Sequence, residues 1–212
     1  MTLQGVLFDL DGTLINTNEL IFQSYDYALD KVLHTNLPRN VLTDTFGKPL
    51  QQIMQELGGA QAEPLREAFV AYTLAHEDQI TLFPHVEETL IQLKASGIDV
   101  ALVTSRLYQG ALRDLNLFEL VPYFDAIITP EATQKHKPHP EPAQKAAAAL
   151  HLHPHQVIFV GDSSHDLQCG RSAGCQTAVV SYSVFPQNEL LQCQPHYIID
   201  DLLELVEIVQ KS

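Results

Sequence analysis

Basic residues are scarce in this chain. Twelve lysines and arginines stand against 26 aspartates and glutamates, a formal net charge of −14 with the ten histidines neutral. Such a field repels polyanions, so nucleic acid and anionic membrane surfaces are excluded as first-choice partners. Cysteine is nearly absent too: Cys169, Cys175 and Cys193 are odd in number and lack a Cys-x-x-Cys spacing. That argues against a disulfide framework and a structural zinc site, and favours free thiols in a reducing compartment. No long hydrophobic run, repeat or low-complexity tract occurs. The first residues, Met1 to Gly5, carry no basic region, and Asp9 and Asp11 interrupt the apolar run that follows. Neither a signal peptide nor a membrane span is expected there, and the expected location is the cytoplasm.

What is present is an alternation. Short apolar runs end in small or polar residues and lead into helical patterns, at Leu3 to Leu10, Asp99 to Thr104, Ala126 to Thr129, Gln156 to Val160 and Thr177 to Val180, with His196 to Ile199 as a further edge. Between them Val86, Leu90 and Leu93 share a helical face, and Leu202, Leu205 and Val209 repeat the spacing. This pattern predicts an α/β fold, a Rossmann-like doubly wound parallel sheet with its ligand crevice at the carboxyl ends of the strands. From about Asn16 to Leu82 the rhythm stops. Ile21, Tyr25, Ala28 and Val32 form one stripe, further helices are expected at Leu50 to Leu57 and Pro64 to Ala75, and no strand is evident. The expected division is therefore a core of residues 1–15 and 83–212 with an inserted all-helical cap domain, 16–82, hinged near Asn16 and Thr81 to Pro84.

Four strand ends carry chemistry. Asp9-Leu10-Asp11-Gly12-Thr13 places two carboxylates two residues apart on an extended chain, so that both face one crevice, and Gly12 permits the turn that follows. One can act as nucleophile while the other passes a proton, and hard oxygens of this kind suit Mg²⁺. Asp162 and Asp166, in Gly161-Asp162-Ser163-Ser164-His165-Asp166, add oxygen ligands after a later strand. Val103-Thr104-Ser105-Arg106 offers hydroxyls, amides and a cation, with Thr104 or Ser105 also suited to cap a helix. Lys137, in the cationic stretch Lys135 to Pro142, precedes a proline and so lies in extended chain able to reach a buried anion. Asp and Gly are common at any strand end; the order acid pair, hydroxyl, lysine, acid pair is not.

With these four motifs the chain resembles the haloacid dehalogenase superfamily phosphatases with a helical C1-type cap, over essentially its whole length. The resemblance implies Asp9 as nucleophile, Asp11 as general acid and base, Thr104 and Lys137 as further catalytic groups, and Ser105 as a substrate-binding residue. It implies a Mg²⁺ site made by Asp9, Asp11 through its carbonyl, Asp162 and Asp166. Asp11 sorts the chain toward the phosphatase and phosphomutase branches, since dehalogenases usually carry Tyr there and ion-pumping ATPases Thr. Phe46-Gly47-Lys48-Pro49 resembles the cap loop that points at the substrate. Lys48 is read either as a contact to a second anionic group or as an exposed lysine at a helix start, and Arg106 is the comparable group on the core side. The implied activity is hydrolysis of a small phosphorylated substrate or pyrophosphate by a monomer or homodimer. A sugar phosphomutase and a catalytically idle phosphate sensor are the alternatives.

Overall fold

The computed structural model describes residues 2–211; Met1 and Ser212, the outer limits of the predicted core segments, lie outside them. The predicted apolar runs form six strands, β1 (Gly5–Phe8), β4 (Asp99–Val103), β5 (Ala126–Ile128), β6 (Val157–Gly161), β7 (Gln176–Val180) and β8 (Tyr197–Ile199). Together they make one parallel sheet in the order β5-β4-β1-β6-β7-β8. Leu7 of β1 lies between Ala101 of β4 and Phe159 of β6. The chain winds outward first on one side of β1 and then on the other, so the switch point falls at β1.

Side-chain alternation explains both covered faces. Val6, Phe8, Val100, Leu102, Ile158 and Val160 turn toward α5 (Val86–Ala95), α6 (Tyr108–Leu117) and α10 (Glu204–Lys211), where Leu90, Leu93, Leu115, Leu205 and Val209 meet them. Their neighbours Leu7, Ala101, Val103 and Phe159 turn the other way, onto Ala143, Ala146 and Ala147 of α7 (Glu141–Ala149) and Cys169 of α8 (Ser164–Ala173). The alanine-rich face of α7 lets that helix lie close to the sheet. A short α9 (Gln187–Gln192) completes the core.

The inserted cap comprises α1 (Asn18–Leu33), α2 (Arg39–Thr43), α3 (Leu50–Gly58) and α4 (Ala62–Ala75) around an apolar cluster of its own. Tyr25 and Ala28 of the predicted stripe are buried in that cluster with Leu29, Met54, Leu65 and Phe69, while Ile21 and Val32 pack at its margin. The expectation that this stretch holds no strand is corrected. β2 (Ile15–Asn16) and β3 (Thr81–Leu82) pair antiparallel, Ile15 opposite Leu82, and tie the two connections into a ribbon. Two residues per strand are too few for an alternating pattern to show in sequence. Phe83 then stacks on Tyr182 with ring centroids 4.3 Å apart, and the Tyr182 hydroxyl donates to the Thr13 carbonyl at 2.8 Å. Among the described residues no helix is long and apolar enough to cross a membrane.

Candidate active site

Three neighbouring strands deliver the acids and the hydroxyl. Asp9 follows β1, Thr104 follows β4 and Asp162 follows β6, so all three emerge at the switch point. The Asp9 amide donates to the Val160 carbonyl at 3.0 Å, which extends the ladder by one residue and fixes where its carboxylate leaves the sheet. At Gly12 the chain turns back with φ +76°, and a side chain there would collide with the Asp162 carboxylate. Gly12→Ala is therefore expected to cost at least ~1 kcal/mol in backbone strain alone and to displace Asp162, so that any stabilisation of the fold by added Mg²⁺ should shrink. Chemical denaturation with and without the ion checks this. An unchanged midpoint together with an unchanged response to magnesium would refute it.

Lys137 reaches the crevice from the loop beyond β5. Its Nζ donates to Asp9 Oδ1 at 2.7 Å, Asp166 Oδ1 at 2.6 Å and the Val103 carbonyl at 3.3 Å, which uses all three of its protons. Asp166 is further held by the Ser163 amide and hydroxyl, at 3.1 and 2.5 Å on Oδ2. Ser163 and Asp166 form a capping box at the start of α8, a pattern visible in the sequence as Ser-x-x-Asp. All four groups are buried. Burial pushes the Asp9 carboxyl up to about 7 against the opposing pull of Lys137, with Asp166 adding to the rise. Burial, with Asp166 and Asp9 nearby, holds Asp162 well above the usual carboxylate range. Burial opposes the charge of Lys137, but Asp166 and Asp9 more than offset it and raise its pKa.

The cluster calls for another cation. Oxygen atoms of Asp9, Asp162 and Asp166 lie within 4.8 Å of one another, and Lys137 bridges two of the three, Asp9 and Asp166. Asp162 is 4% exposed, is repelled by Asp166 and Asp9, and receives no side-chain hydrogen bond from the described residues. A buried carboxylate in that condition is costly unless a positive charge sits against it. Hard oxygen donors on rigid strand ends fit Mg²⁺.

Asp11 stands apart from this cluster. Arg106 grips it from both sides, Nε to Oδ2 and Nη2 to Oδ1, each at 2.7 Å, and the Thr17 hydroxyl donates to Oδ1 at 2.6 Å. The other edge of the guanidinium meets buried Asp114 of α6 at 2.7 Å. Burial works to raise the Asp11 pKa, yet the Arg106 charge and these hydrogen bonds prevail and lower it. Thr17 and Asp114 were not expected at the site, because nothing local marks a hinge threonine or a helix aspartate as partners of residue 11 or 106.

The remaining predicted residues are placed as follows. Thr104 is buried at the end of β4 and its hydroxyl accepts from the Arg106 amide at 3.1 Å. Thr104 and Ser105, both also suited to cap a helix, do not cap α6. That helix begins at Tyr108 after Leu107, and the Glu131 carboxylate takes the Tyr108 amide at 2.9 Å. Ser105 instead donates to the Gly47 carbonyl of the cap loop at 2.5 Å. Lys48 lies in that loop with its ammonium 2.8 Å from Glu56 of α3. Arg106 and Lys48, both read as substrate contacts, thus hold carboxylates of this chain.

Comparison with known proteins gives the same outline. Residues 6–180 match the family of haloacid dehalogenase-like hydrolases. A Clostridium perfringens relative provisionally named pyrophosphatase PpaX is 37% identical over 210 residues, 99% of this chain and 98% of its own. The pyrophosphatase PpaX of Halalkalibacterium halodurans is 35% identical over 210 residues, with the same shares of 99% and 98%. The crystal structure of a predicted phosphoglycolate phosphatase from Haemophilus somnus superposes with a TM-score of 0.85 at 28% identity, covering 99% of each chain.

Proposed function

Because the chain belongs to the haloacid dehalogenase-like hydrolase family, we propose that it is a Mg²⁺-dependent phosphatase. Its substrate on this reading is a small phosphorylated metabolite or pyrophosphate, cleaved through an aspartyl-phosphate on Asp9. The observation that carries the reading is the buried Asp9–Lys137–Asp166 bridge beside Asp162. A carboxylate can attack a phosphate dianion only where positive charge offsets their repulsion, and this cluster holds such charge at the nucleophile.

Asp9, the Asp11 carbonyl and Asp162 would hold Mg²⁺, with Asp166 behind them. The ion would neutralise phosphoryl charge and fix the in-line approach. A carboxylate oxygen of Asp9 forms a bond to phosphorus as the bond to the leaving oxygen breaks, and that oxygen takes a proton from Asp11. Asp11 then withdraws a proton from water as it attacks phosphorus, phosphate departs, and the Asp9 carboxylate is restored. Thr104 and the Ser105 amide hold phosphoryl oxygens. Asp11 can take up this role once Arg106 exchanges it for an oxyanion of the substrate, with Asp114 retaining the far edge of the guanidinium. We also place the domain division at residues 16–82 for the cap, and the enzyme in the cytoplasm as a monomer or homodimer without nucleic-acid or membrane partners.

Phosphate release from pyrophosphate, phosphoglycolate and a generic aryl phosphate tests the proposal. Turnover is expected with Mg²⁺ and none after chelation. Absence of release from all three would overturn it, and conversion of glucose 1-phosphate to glucose 6-phosphate would point to a phosphomutase. Magnesium affinity has a defined pH response, because the ion must displace the proton that burial keeps on Asp9 up to about 7. Below that pH affinity is expected to fall by up to ~10-fold per unit for each proton displaced, and above it to level off. Calorimetric titration at pH 5.5, 6.5 and 8 reads this directly.

A further inference from the structure

The turn that follows β7 takes no part in this mechanism, yet it touches the acidic centre and the cap together. Ser181 closes the strand by donating its amide to the Ile199 carbonyl at 2.9 Å. The next residues each hold a main-chain carbonyl of the site. The Tyr182 hydroxyl donates to the Thr13 carbonyl at 2.8 Å, and the Ser183 hydroxyl donates to the Asp162 carbonyl at 2.6 Å. Burial, with the Asp162 and Asp201 carboxylates nearby, raises the Tyr182 pKa, so the phenol remains a donor.

These carbonyls bracket one carboxylate. No side chain among the described residues donates to the Asp162 carboxylate, so its direction is set by its main chain and by what packs against it. Its own carbonyl is tied down by Ser183. Against its carboxylate lies Gly12, where an added methyl group would run into Oδ2 and Cγ, and Gly12 precedes the residue whose carbonyl Tyr182 holds.

The same turn is fastened to the cap at its base and at its loop. The Tyr182 ring stacks on Phe83, which follows the β2–β3 ribbon and donates its amide to the Leu14 carbonyl at 3.0 Å. The Ser183 hydroxyl accepts the Phe185 amide at 3.0 Å, and the Phe185 ring meets Phe46 of the cap loop edge-on, centroids 6.3 Å apart. Residues 182–185 therefore join the cap base, the cap loop and both sides of Asp162, and a shift at one of these contacts is passed to the others.

We propose that Tyr182 and Ser183 are positioning residues for the Mg²⁺ site, which aim Asp162 through these carbonyls and make ion binding there and seating of the cap loop favour each other. The inference rests on the phosphatase reading above, from which it takes the ion at Asp162. The coupling is reciprocal: an ion that fixes Asp162 steadies the turn under Phe46, and a seated loop returns the same free energy to the ion.

Tyr182→Phe and Ser183→Ala each remove one hydroxyl and leave the ring stack in place. Calorimetric titration with Mg²⁺ alone at pH 8 is expected to show an affinity ~10-fold below wild type in either variant. Turnover of the aryl phosphate is expected to return to within ~3-fold of wild type at saturating Mg²⁺. Ser24→Ala, which removes a buried hydroxyl inside the cap, is the control for loss of a hydrogen bond as such and should bind the ion as wild type does. Hydrogen exchange reads the coupling: Mg²⁺ is expected to slow the amides of residues 44–48 at least ~3-fold in wild type and not in the double variant Tyr182→Phe/Ser183→Ala. Affinity within ~2-fold of wild type in both single variants overturns the proposal. So does an equal loss in Ser24→Ala, or an undiminished effect of Mg²⁺ on the loop in the double variant. Should one single variant lose its cooperative melting, the other carries the comparison. If wild type itself binds no Mg²⁺, it is the phosphatase reading that fails.

Discussion

Asp9→Asn is expected to reduce phosphate release by at least ~10⁴-fold while leaving the fold intact. The amide cannot form the acyl phosphate, yet it keeps the shape of the side chain and an oxygen to accept from Lys137. The substitution also thins a crowded group of acids, because Asp9 shares its surroundings with Asp162 and Asp166, and Lys137 retains Asp166 at 2.6 Å. Its melting temperature should therefore match or slightly exceed that of the wild type. Phosphate release measured beside thermal denaturation reads both quantities. Turnover above about one hundredth of wild type would remove Asp9 from the nucleophile's place.

Lys137→Met is expected to fail in the opposite manner, in stability first. This side chain is 2% exposed and bridges Asp9 and Asp166. Methionine fills much of the volume but leaves Asp9 and Asp166 without the ammonium that joins them, beside a third buried carboxylate, Asp162, the situation in which breaking a buried pair costs about 3–5 kcal/mol. The sign of the pH dependence follows from Asp9. Its pKa in the folded chain, about 7, lies above the ordinary 3.8, so its contribution to stability is complete below the ordinary value and is lost as pH rises through 7. Without Lys137 that loss deepens, and the penalty of the variant should be larger at pH 8 than at pH 5. Magnesium should recover part of it by restoring positive charge to the cluster. Urea denaturation at the two pH values, with and without the ion, is the measurement. A penalty below ~1 kcal/mol, or one independent of pH, would show that the bridge is not what holds the cluster together. Turnover is expected to fall as well, since attack by Asp9 would proceed without its nearest cation.

These two residues differ in how openly the sequence displayed them. Asp9 announces itself by position, at the end of an apolar run and two residues before a second acid. Lys137 is one of two lysines in a cationic stretch, and only its place before proline and the order of the other motifs single it out. Arg106 and Lys48 add contacts that such reasoning does not reach. Both were read as groups for the substrate, and the fold also sets each against carboxylates of its own chain, Asp11 with Asp114 and Glu56. An arginine side chain has a reach of several ångströms, and a residue 95 positions away in the chain can meet it as readily as a neighbour can. The start of α6 is a similar case, because Glu131, from the far side of β5, supplies the acceptor that Thr104 or Ser105 was also suited to provide.

What the sequence by itself determined was the periodic part: which runs become buried strands, which stripes face a sheet, where the helical insertion enters, and hence that Asp9, Thr104 and Asp162 leave the sheet at its carboxyl end. Those features follow from backbone geometry and burial, which repeat every two or 3.6 residues and so leave a trace along the chain. The tertiary structure alone decided the pairings within the site. Arg106 lies on Asp11, Thr17 bonds to Asp11, Gly47 is laid over Ser105 and His165, and the β2–β3 ribbon closes the base of the cap. Each of these joins groups distant in sequence by contacts a few ångströms long, and such contacts obey no period that a linear reading can detect.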